Sequence, residues 1–265
     1  MRKWHLNLNK HCKLNLLLLA VIFLLPSVRA ESINVAVAAN FSAALEEVKT
    51  VFESNTDHEI VVIRGSTGKH FTQILNGAPF DLFLAADQAR PAQLQEQEQY
   101  NMVQRRSYAV GRLALWGRGE GPLKEDSIAD MILKTPNQRL AIANPLLAPY
   151  GSAALETLNY LGLKDESEDR IVTGENIAQA FQFAYSGGAK FGLVAYSQVI
   201  NVGELGNFWL VPTTHHSPII QDMVLLSESA AARELFEFLT STKMSQILRK
   251  HGYLEPGSAR AQTRN

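Results

Sequence analysis

Strand and helix patterns alternate along the first third of this chain, and this alternation restricts the possible folds more than any other feature. Short apolar runs at residues 33–38, 59–63 and 81–85 each belong to a unit in which a strand pattern is followed by helical spacing of apolar residues. Strands that are joined through helices form parallel sheets with right-handed crossovers. The sequence therefore predicts an α/β fold.

A second set of strand and helix patterns follows a Gly-rich break at residues 117–122. The stretch before the break, residues 108–116, is long for a single strand, and the run "PIIQDMVLL" at residues 218–226 is typical of a strand that returns to the first sheet. We expect two lobes, each a mostly parallel sheet flanked by helices, with a ligand cleft between them. The expected boundaries are residues 31–110 and 218–265 for lobe I and residues 111–217 for lobe II.

The N-terminus has the pattern of a secretory signal. Basic residues precede an apolar run from Leu16 to Leu25, and Val28 and Ala30 occupy the −3 and −1 positions of a cleavage site. The run is too short to remain in a bilayer as a spanning helix. We expect a signal peptide at residues 1–30, cleavage after Ala30 and a periplasmic protein.

Cleavage changes the charge and the cysteine content of the chain. The leader contains five of the 25 basic residues and no acidic residue, so 25 − 5 = 20 Lys and Arg remain against 26 Asp and Glu, a formal net charge of −6. Such a chain, without a basic run, is not expected to bind nucleic acid or an anionic membrane. Cys12, the single cysteine, leaves with the leader, which excludes disulfides in the mature protein.

Polar loops follow the predicted strands at four places. They contain Ala39-Asn40, Ser66-Thr67, Pro149-Tyr150-Gly151 and Gly174-Glu175-Asn176-Ile177. Ligands of open parallel sheets bind beyond the carboxyl ends of strands, where helix N-termini present unpaired N–H groups. Each loop alone is explained by capping and turn chemistry, but together they indicate an anion site. The stretch "RGSTGKHF" at residues 64–71 lacks the glycine spacing of a nucleotide P-loop.

Several stretches together resemble one family, the periplasmic molybdate-binding proteins of molybdate ABC importers. They are "VAVAANFSAALEEV", "GSTGKHFTQILNGAPFDLFLAADQARP", "ANPLLAPYGSAALETL" and "GENIAQAF" followed by "FGLVAYSQV". The resemblance extends over nearly the whole mature chain. It implies the type II periplasmic-binding fold, in which two α/β lobes close over an oxyanion and then dock on a membrane permease.

The resemblance also implies the residues of the site. The family's oxyanion contacts fall on Asn40, Ser66, Thr67, Tyr150 and the backbone N–H of Ile177. Some members place a binding tyrosine where this chain has Ala195, and on a continued strand Tyr196 would face the opposite side.

The expected function is capture of molybdate, and also of tungstate, for an ABC importer, without catalysis, cofactor or bound metal other than the molybdenum of the oxyanion. The protein is expected to be a monomer. His215-His216 is not expected to form a zinc site. The alternatives are a binding protein for sulfate or another tetrahedral dianion, and a secreted hydrolase with Ser66 as nucleophile, for which no nucleophile-elbow motif is present.

Overall fold

The structure is a computed structural model, and it describes residues 30–100, 103–119, 121, 123–133, 138–200 and 202–258. Of the expected signal peptide, only Ala30 lies among the described residues. The range Glu31–Asn265 is one compact unit. No helix in the described part of the chain has the length and apolar character needed to span a membrane.

In the described part of the chain, ten strands form two five-stranded sheets. In chain order they are β1 Ser32–Ala38, β2 Glu59–Gly65, β3 Leu82–Leu84, β4 Gln104–Gly111, β5 Leu113–Arg118, β6 Leu140–Ala143, β7 Ile171–Gly174, β8 Phe191–Ala195, β9 Gly206–Leu210 and β10 Ile219–Leu225.

Ten α-helices of the described residues cover these sheets, and short 3-10 turns such as Ala39–Phe41 connect them. The helices are α1 Ser42–Glu53, α2 Thr67–Leu75, α3 Ala89–Gln95, α4 Glu125–Leu133, α5 Pro149–Tyr160, α6 Lys164–Ser167, α7 Ile177–Tyr185, α8 Tyr196–Val199, α9 Ala230–Phe238 and α10 Thr242–Lys250.

The two sheets have the same internal order. The first runs β2-β1-β3-β10-β4 and the second β7-β6-β8-β5-β9. In each sheet three neighbouring strands are parallel, and the fourth, β10 or β5, is antiparallel to both of its neighbours. Four of the five strands in each sheet therefore run in one direction, which confirms the two-lobed α/β fold with mostly parallel sheets.

The stretch at residues 108–116, which is long for a single strand, contains parts of two strands, β4 and β5, and Arg112 separates them. β4 pairs with β10 in the first sheet, whereas β5 pairs with β8 and β9 in the second. The residues on both sides of Arg112 are buried, which explains why both strands are rich in apolar residues. The chain returns between β9 and β10, and the predicted lobe boundaries remain a prediction.

β1 lies in the middle of the first lobe and is buried on both faces. Val35 and Val37 pack in one apolar cluster with Phe41 and Phe236, while Ala36 packs in another with Phe83. Alternating side chains of one strand therefore face two separate helix layers. This double burial explains why the strand is a continuous apolar run rather than an alternating one.

Several helices begin at residues that cap their first turn. Ser66 accepts a hydrogen bond from Lys69 N at the start of α2, and Asn176 accepts from two amides at the start of α7. Pro149 occupies the first turn of α5, where its missing N–H costs nothing. The helices α2 and α7 begin directly after β2 and β7, at the carboxyl ends of those strands, and α5 begins after a five-residue loop at the carboxyl end of β6.

Gly151 permits the close contact between α5 and the end of β6. A Cβ atom at this position would lie 2.3 Å from the carbonyl oxygen of Ala143. We expect Gly151→Ala to lower the free energy of unfolding by about 1–3 kcal/mol, and the melting temperature by about 2–4 °C for each of those kcal/mol. Gly257→Ala, where no atom lies within 4 Å of the added Cβ, is the matched control. Thermal melts that are equal for Gly151→Ala and the parent would contradict this packing argument.

Candidate functional site

A small cavity lies where the carboxyl ends of strands from both lobes meet. Its volume is about 10 Å³. Its lining consists of Ala38, Ala39, Asn40, Gly65, Ser66, Thr67, Ala86, Ala148, Pro149, Tyr150, Asn176 and Ile177. The structure therefore brings all five predicted site residues, which lie up to 137 positions apart (177 − 40 = 137), around one space. Whether they contact an oxyanion stays a prediction.

Size does not single out this cavity. A depression of about 380 Å³ is larger, and it lies beside Gln138 and Arg139 at the amino end of β6. The smaller cavity is at the opposite, carboxyl end, where helix N-termini direct their N–H groups. Position and chemistry therefore favour the smaller cavity as the site.

The lining is electrically neutral. Among the described residues that form it, none is Asp, Glu, Lys, Arg or His. The positive ends of the helix dipoles of α2, α5 and α7 point toward the space instead. Such a site can hold an anion without a counter-ion, provided that the anion's oxygens are hydrogen-bonded.

The two hydroxyls of the α2 loop are arranged as donors. Thr67 Oγ1 accepts a hydrogen bond from Ala86 N at 3.0 Å, and Ser66 Oγ accepts from Lys69 N at 3.3 Å. Both side chains are buried, with 1% and 2% of their surface exposed. Because each oxygen already accepts a bond from the protein, its own proton remains for an acceptor in the cavity.

The start of α7 leaves one backbone donor at the cavity. The Asn176 side chain accepts from Ala178 N and Gln179 N, and the Asn176 carbonyl accepts from Ala180 N. These bonds satisfy every amide of the first turn except that of Ile177. The geometry therefore supports the backbone N–H of Ile177, rather than its side chain, as the predicted contact.

Tyr150 reaches the cavity from the start of α5. Its side chain is buried, and its hydroxyl accepts a hydrogen bond from Gln221 Nε2 at 3.4 Å. Burial raises the pKa of Tyr150 well above its ordinary value. The phenol therefore stays protonated, and can donate, at neutral pH.

Asn40 is more tightly engaged than the sequence indicates. Its Nδ2 donates to Gln221 Oε1 and to Tyr253 Oη, both at 3.1 Å. Tyr253 in turn donates to the Asn40 carbonyl oxygen at 2.6 Å, and Ser197 Oγ donates to the same oxygen at 3.0 Å. Both amide protons of Asn40 are thus used within the protein, so its side chain has no spare donor in this conformation.

The sequence prediction missed the residues that surround the site. Gln221, Tyr253, Tyr108 and Ser197 form a buried polar network around Asn40 and Tyr150. Gln221 has the one recognisable signal, because it is an amide in an otherwise apolar strand. The other three lie in segments whose proximity to the site depends on tertiary structure.

The strand does not continue through Tyr196, so the alternation of side chains along a strand does not determine where this residue points. β8 ends at Ala195, and Tyr196 begins the short helix α8. Its ring lies 4.6 Å from the Arg112 guanidinium carbon and 5.2 Å from the Phe208 ring. Tyr196 is not among the residues that line the cavity.

The two lobes contact each other around the cavity. Gly68 N donates to Leu147 O at 2.9 Å, and Lys69 Nζ lies 2.7 Å from Glu175 Oε1. The five predicted site residues are each at most 3% exposed. A ligand cannot reach the cavity from solvent unless the lobes move apart, so this conformation is closed.

Two lobes of the same topology, closed over a neutral and donor-lined cavity, define a two-lobed binding protein of the periplasmic type. Comparisons with known proteins agree. The family model for bacterial extracellular solute-binding proteins matches residues 33–254.

Individual relatives are similar over most of the chain. The molybdate-binding protein ModA of Azotobacter vinelandii is 40% identical over 230 residues, which cover 85% of this chain and 90% of the relative. ModA of Rhodobacter capsulatus is 42% identical over 233 residues, covering 87% and 90%. The solved periplasmic molybdate-binding protein of Azotobacter vinelandii superposes with a TM-score of 0.78 at 32% identity, covering 84% of this chain and 99% of that structure.

The chain therefore belongs to the family of bacterial extracellular solute-binding proteins. The resemblance seen in the sequence is confirmed.

The buried tyrosines predict how stability depends on alkaline pH. Burial raises the pKa of Tyr108, Tyr150 and Tyr253 above the ordinary value of 10.0. Below pH 10 these tyrosines are protonated in both the folded and the unfolded protein, so their contribution to stability is fully present there. Above pH 10.0 the unfolded chain releases these protons first, so stability falls by about 1.4 kcal/mol per tyrosine for each further pH unit.

Denaturant unfolding at pH values on both sides of 10, followed by tyrosinate absorbance, measures this loss. Tyr253→Phe should reduce the alkaline slope, while Tyr160→Phe, at an exposed position, should leave it unchanged. The assignment fails if Tyr253 ionises in the folded protein with an ordinary pKa.

Proposed function

We propose that this protein captures molybdate in the periplasm and delivers it to the membrane permease of an ABC importer. One observation carries the proposal: Ser66, Thr67, Tyr150 and Ile177 N–H present donors to one closed, uncharged cavity. The relatives named molybdate-binding proteins, at 40% and 42% identity, support molybdate as the ligand.

The chemistry of the cavity suits a fully ionised oxyanion. Its hydroxyls and backbone amides donate hydrogen bonds, and donors facing an anion form shorter and stronger bonds than neutral pairs. The chain also has a net charge of −6 after the expected cleavage (20 basic against 26 acidic residues). Local dipoles, rather than overall charge, therefore attract the anion.

Tungstate is proposed as a second ligand because it has the same charge and tetrahedral shape as molybdate. Sulfate is the nearest alternative, since it presents the same charge with shorter bonds. Discrimination between them depends on how well the donors around the cavity match the oxygen positions. A protein that preferred sulfate would still use the same neutral site.

A hydrolase is disfavoured by the surroundings of Ser66. Its Oγ is the N-cap of α2 and is bonded to Lys69 N. The histidine of the same helix, His70, is directed elsewhere, with Nε2 at 3.2 Å from Val37 O and Nδ1 at 3.0 Å from Gln73 Oε1. Burial lowers the pKa of His70. However, Ser66 has no hydrogen bond to His70, which a serine nucleophile and its base would need. We therefore propose a binding protein without catalytic activity and without a cofactor.

Export and partners follow from the same proposal. Signal-peptide cleavage after Ala30 would release the protein into the periplasm, and the description of the matching family, extracellular solute-binding protein, supports export from the cytoplasm. The permease of an ABC importer is the proposed protein partner, and the protein is proposed to act as a monomer.

Calorimetric titration of the purified mature protein with molybdate, tungstate, sulfate and phosphate tests the function directly. Molybdate and tungstate should bind, and each should stabilise the protein by about 2.7 kcal/mol at one hundred times its Kd. Sulfate and phosphate should bind much more weakly. Tight binding of sulfate with no response to molybdate would overturn the assignment of the ligand but not of the site.

Substitutions in α2 test the neutral site. Thr67→Ala removes a hydroxyl donor from the cavity, so it should weaken molybdate binding by about 1.5–3 kcal/mol, roughly ten- to a hundredfold in Kd. Thr72→Ala is a matched control in the same helix, because Thr72 Oγ1 bonds only its own helix at Gly68 O. Lys69→Ala removes the exposed ion pair with Glu175 across the lobes. It should weaken molybdate binding by only about 0.2–1 kcal/mol.

The order of these effects is decisive. Abolished binding in Lys69→Ala together with intact binding in Thr67→Ala would favour a charge-paired site. Melting of the ligand-free variants separates a loss of folding from a loss of binding, since Thr67 Oγ1 also accepts from Ala86 N.

A further inference from the structure

Gln221 is a polar side chain in a fully buried setting. It lies on β10, the strand by which the chain returns to the first lobe, and it has 0% exposed surface. The pairing of β10 with β4 shifts register between Gln221 and Asp222, where Tyr108 is the extra residue on β4. Bulges frequently redirect a side chain next to a functional site. A buried amide also needs partners for its donor and acceptor groups.

The partners of Gln221 come from both lobes. Its Oε1 accepts from Asn40 Nδ2 at 3.1 Å and from Tyr108 Oη at 3.0 Å, both in the first lobe. Its Nε2 donates to Tyr150 Oη at 3.4 Å, in the second lobe. One amide on a crossover strand thus connects two residues of the cavity that belong to different lobes.

The other crossover strand makes room for this contact. A Cβ atom at Gly111, the last residue of β4, would lie 2.1 Å from Tyr150 Oη and 2.7 Å from Gln221 Nε2. Only glycine lets the phenol and the amide meet at this point. The two strands that join the lobes therefore both shape the surroundings of the Tyr150 hydroxyl.

The direction of the hydrogen bond decides what Tyr150 can offer to an anion. A phenol has one proton. When its oxygen accepts from Gln221 Nε2, that proton is available to the cavity. If the neighbour were only an acceptor, the phenol would donate to it and turn its lone pairs to the anion, which would repel it.

We propose that Gln221 is a positioning residue for ligand binding. It keeps the Tyr150 proton directed to the oxyanion and holds Asn40 in place from the same amide. In the closed conformation, the crossover strands therefore hold Gln221 where it completes the binding site. The inference rests on the proposed function, because it assumes that the cavity binds molybdate and that Tyr150 donates to it.

A double-mutant cycle between Gln221→Met and Tyr150→Phe tests the proposal, with molybdate Kd from calorimetry as the readout. Gln221→Met keeps the length of the side chain and removes both hydrogen-bonding groups. In the parent background it should weaken binding by about tenfold. In the Tyr150→Phe background it should change Kd by less than about twofold, because the group through which it acts is gone.

Thr157→Val is the matched control. It removes another buried hydroxyl, which bonds only Ala153 O of its own helix α5, and it leaves the network around Gln221 and Tyr150 intact. It should lower the melting temperature of the ligand-free protein and leave Kd within about twofold of the parent. If Gln221→Met does not fold, Gln221→Asn, which retains a buried amide but is one methylene too short to reach Tyr150, replaces it in the cycle.

The outcomes separate the inference from the proposed function. A parent protein that does not bind molybdate contradicts the proposed function. If the parent binds and Gln221→Met weakens binding equally in both backgrounds, Gln221 does not act through Tyr150 and the inference is wrong. It is also wrong if Tyr150→Phe binds like the parent.

Discussion

The first amides of an α-helix have no acceptor within the helix, and the organisation of this protein follows from that constraint. The helices α2 and α7 begin directly after strands β2 and β7, so their free N–H groups collect at the carboxyl edge of each sheet. Ser66 and Asn176 satisfy some of these amides by capping. The amides that capping leaves unpaired face a single cavity between the lobes, and this makes the cavity attractive to an anion although its lining is uncharged.

A buried polar network holds the cavity in shape. Tyr253, from the C-terminal part of the chain, bonds both the side chain and the carbonyl of Asn40, and Gln221 connects Asn40 with Tyr150. In a low-dielectric interior such a network is favourable only if its members are satisfied. The same bonds use up the amide protons of Asn40, so the network determines which groups remain to bind a ligand.

Contacts between the lobes are of two kinds. At the rim they are the backbone bond from Gly68 to Leu147 and the exposed ion pair of Lys69 with Glu175. In the interior they run through the crossover strands β4 and β10. Exposed ion pairs stabilise weakly and are screened by salt. The buried hydrogen bonds at the crossover strands are not screened in this way. The interior contacts therefore determine the geometry of the closed site, and the rim contacts adjust how readily it opens.

The sequence by itself determined the α/β class, the two-lobed plan and five of the residues around the cavity. Apolar periodicity marks strands and helices, and loops at strand ends are local features that a reader of the sequence can find. It did not show which neighbours β4 and β5 pair with, because both strands are buried and rich in apolar residues. Nor did it reveal that the chain becomes helical at Tyr196.

Only the tertiary structure decided which donors are free. Asn40 and Tyr253 are 213 positions apart, and Tyr108 and Gln221 are 113 apart. Hydrogen bonds between such residues depend on how the two sheets pack together, and no local pattern encodes that packing. Local sequence preferences act over a few residues, so they place a polar side chain at a strand end. Long-range packing then determines whether its protons face the cavity or a neighbouring side chain.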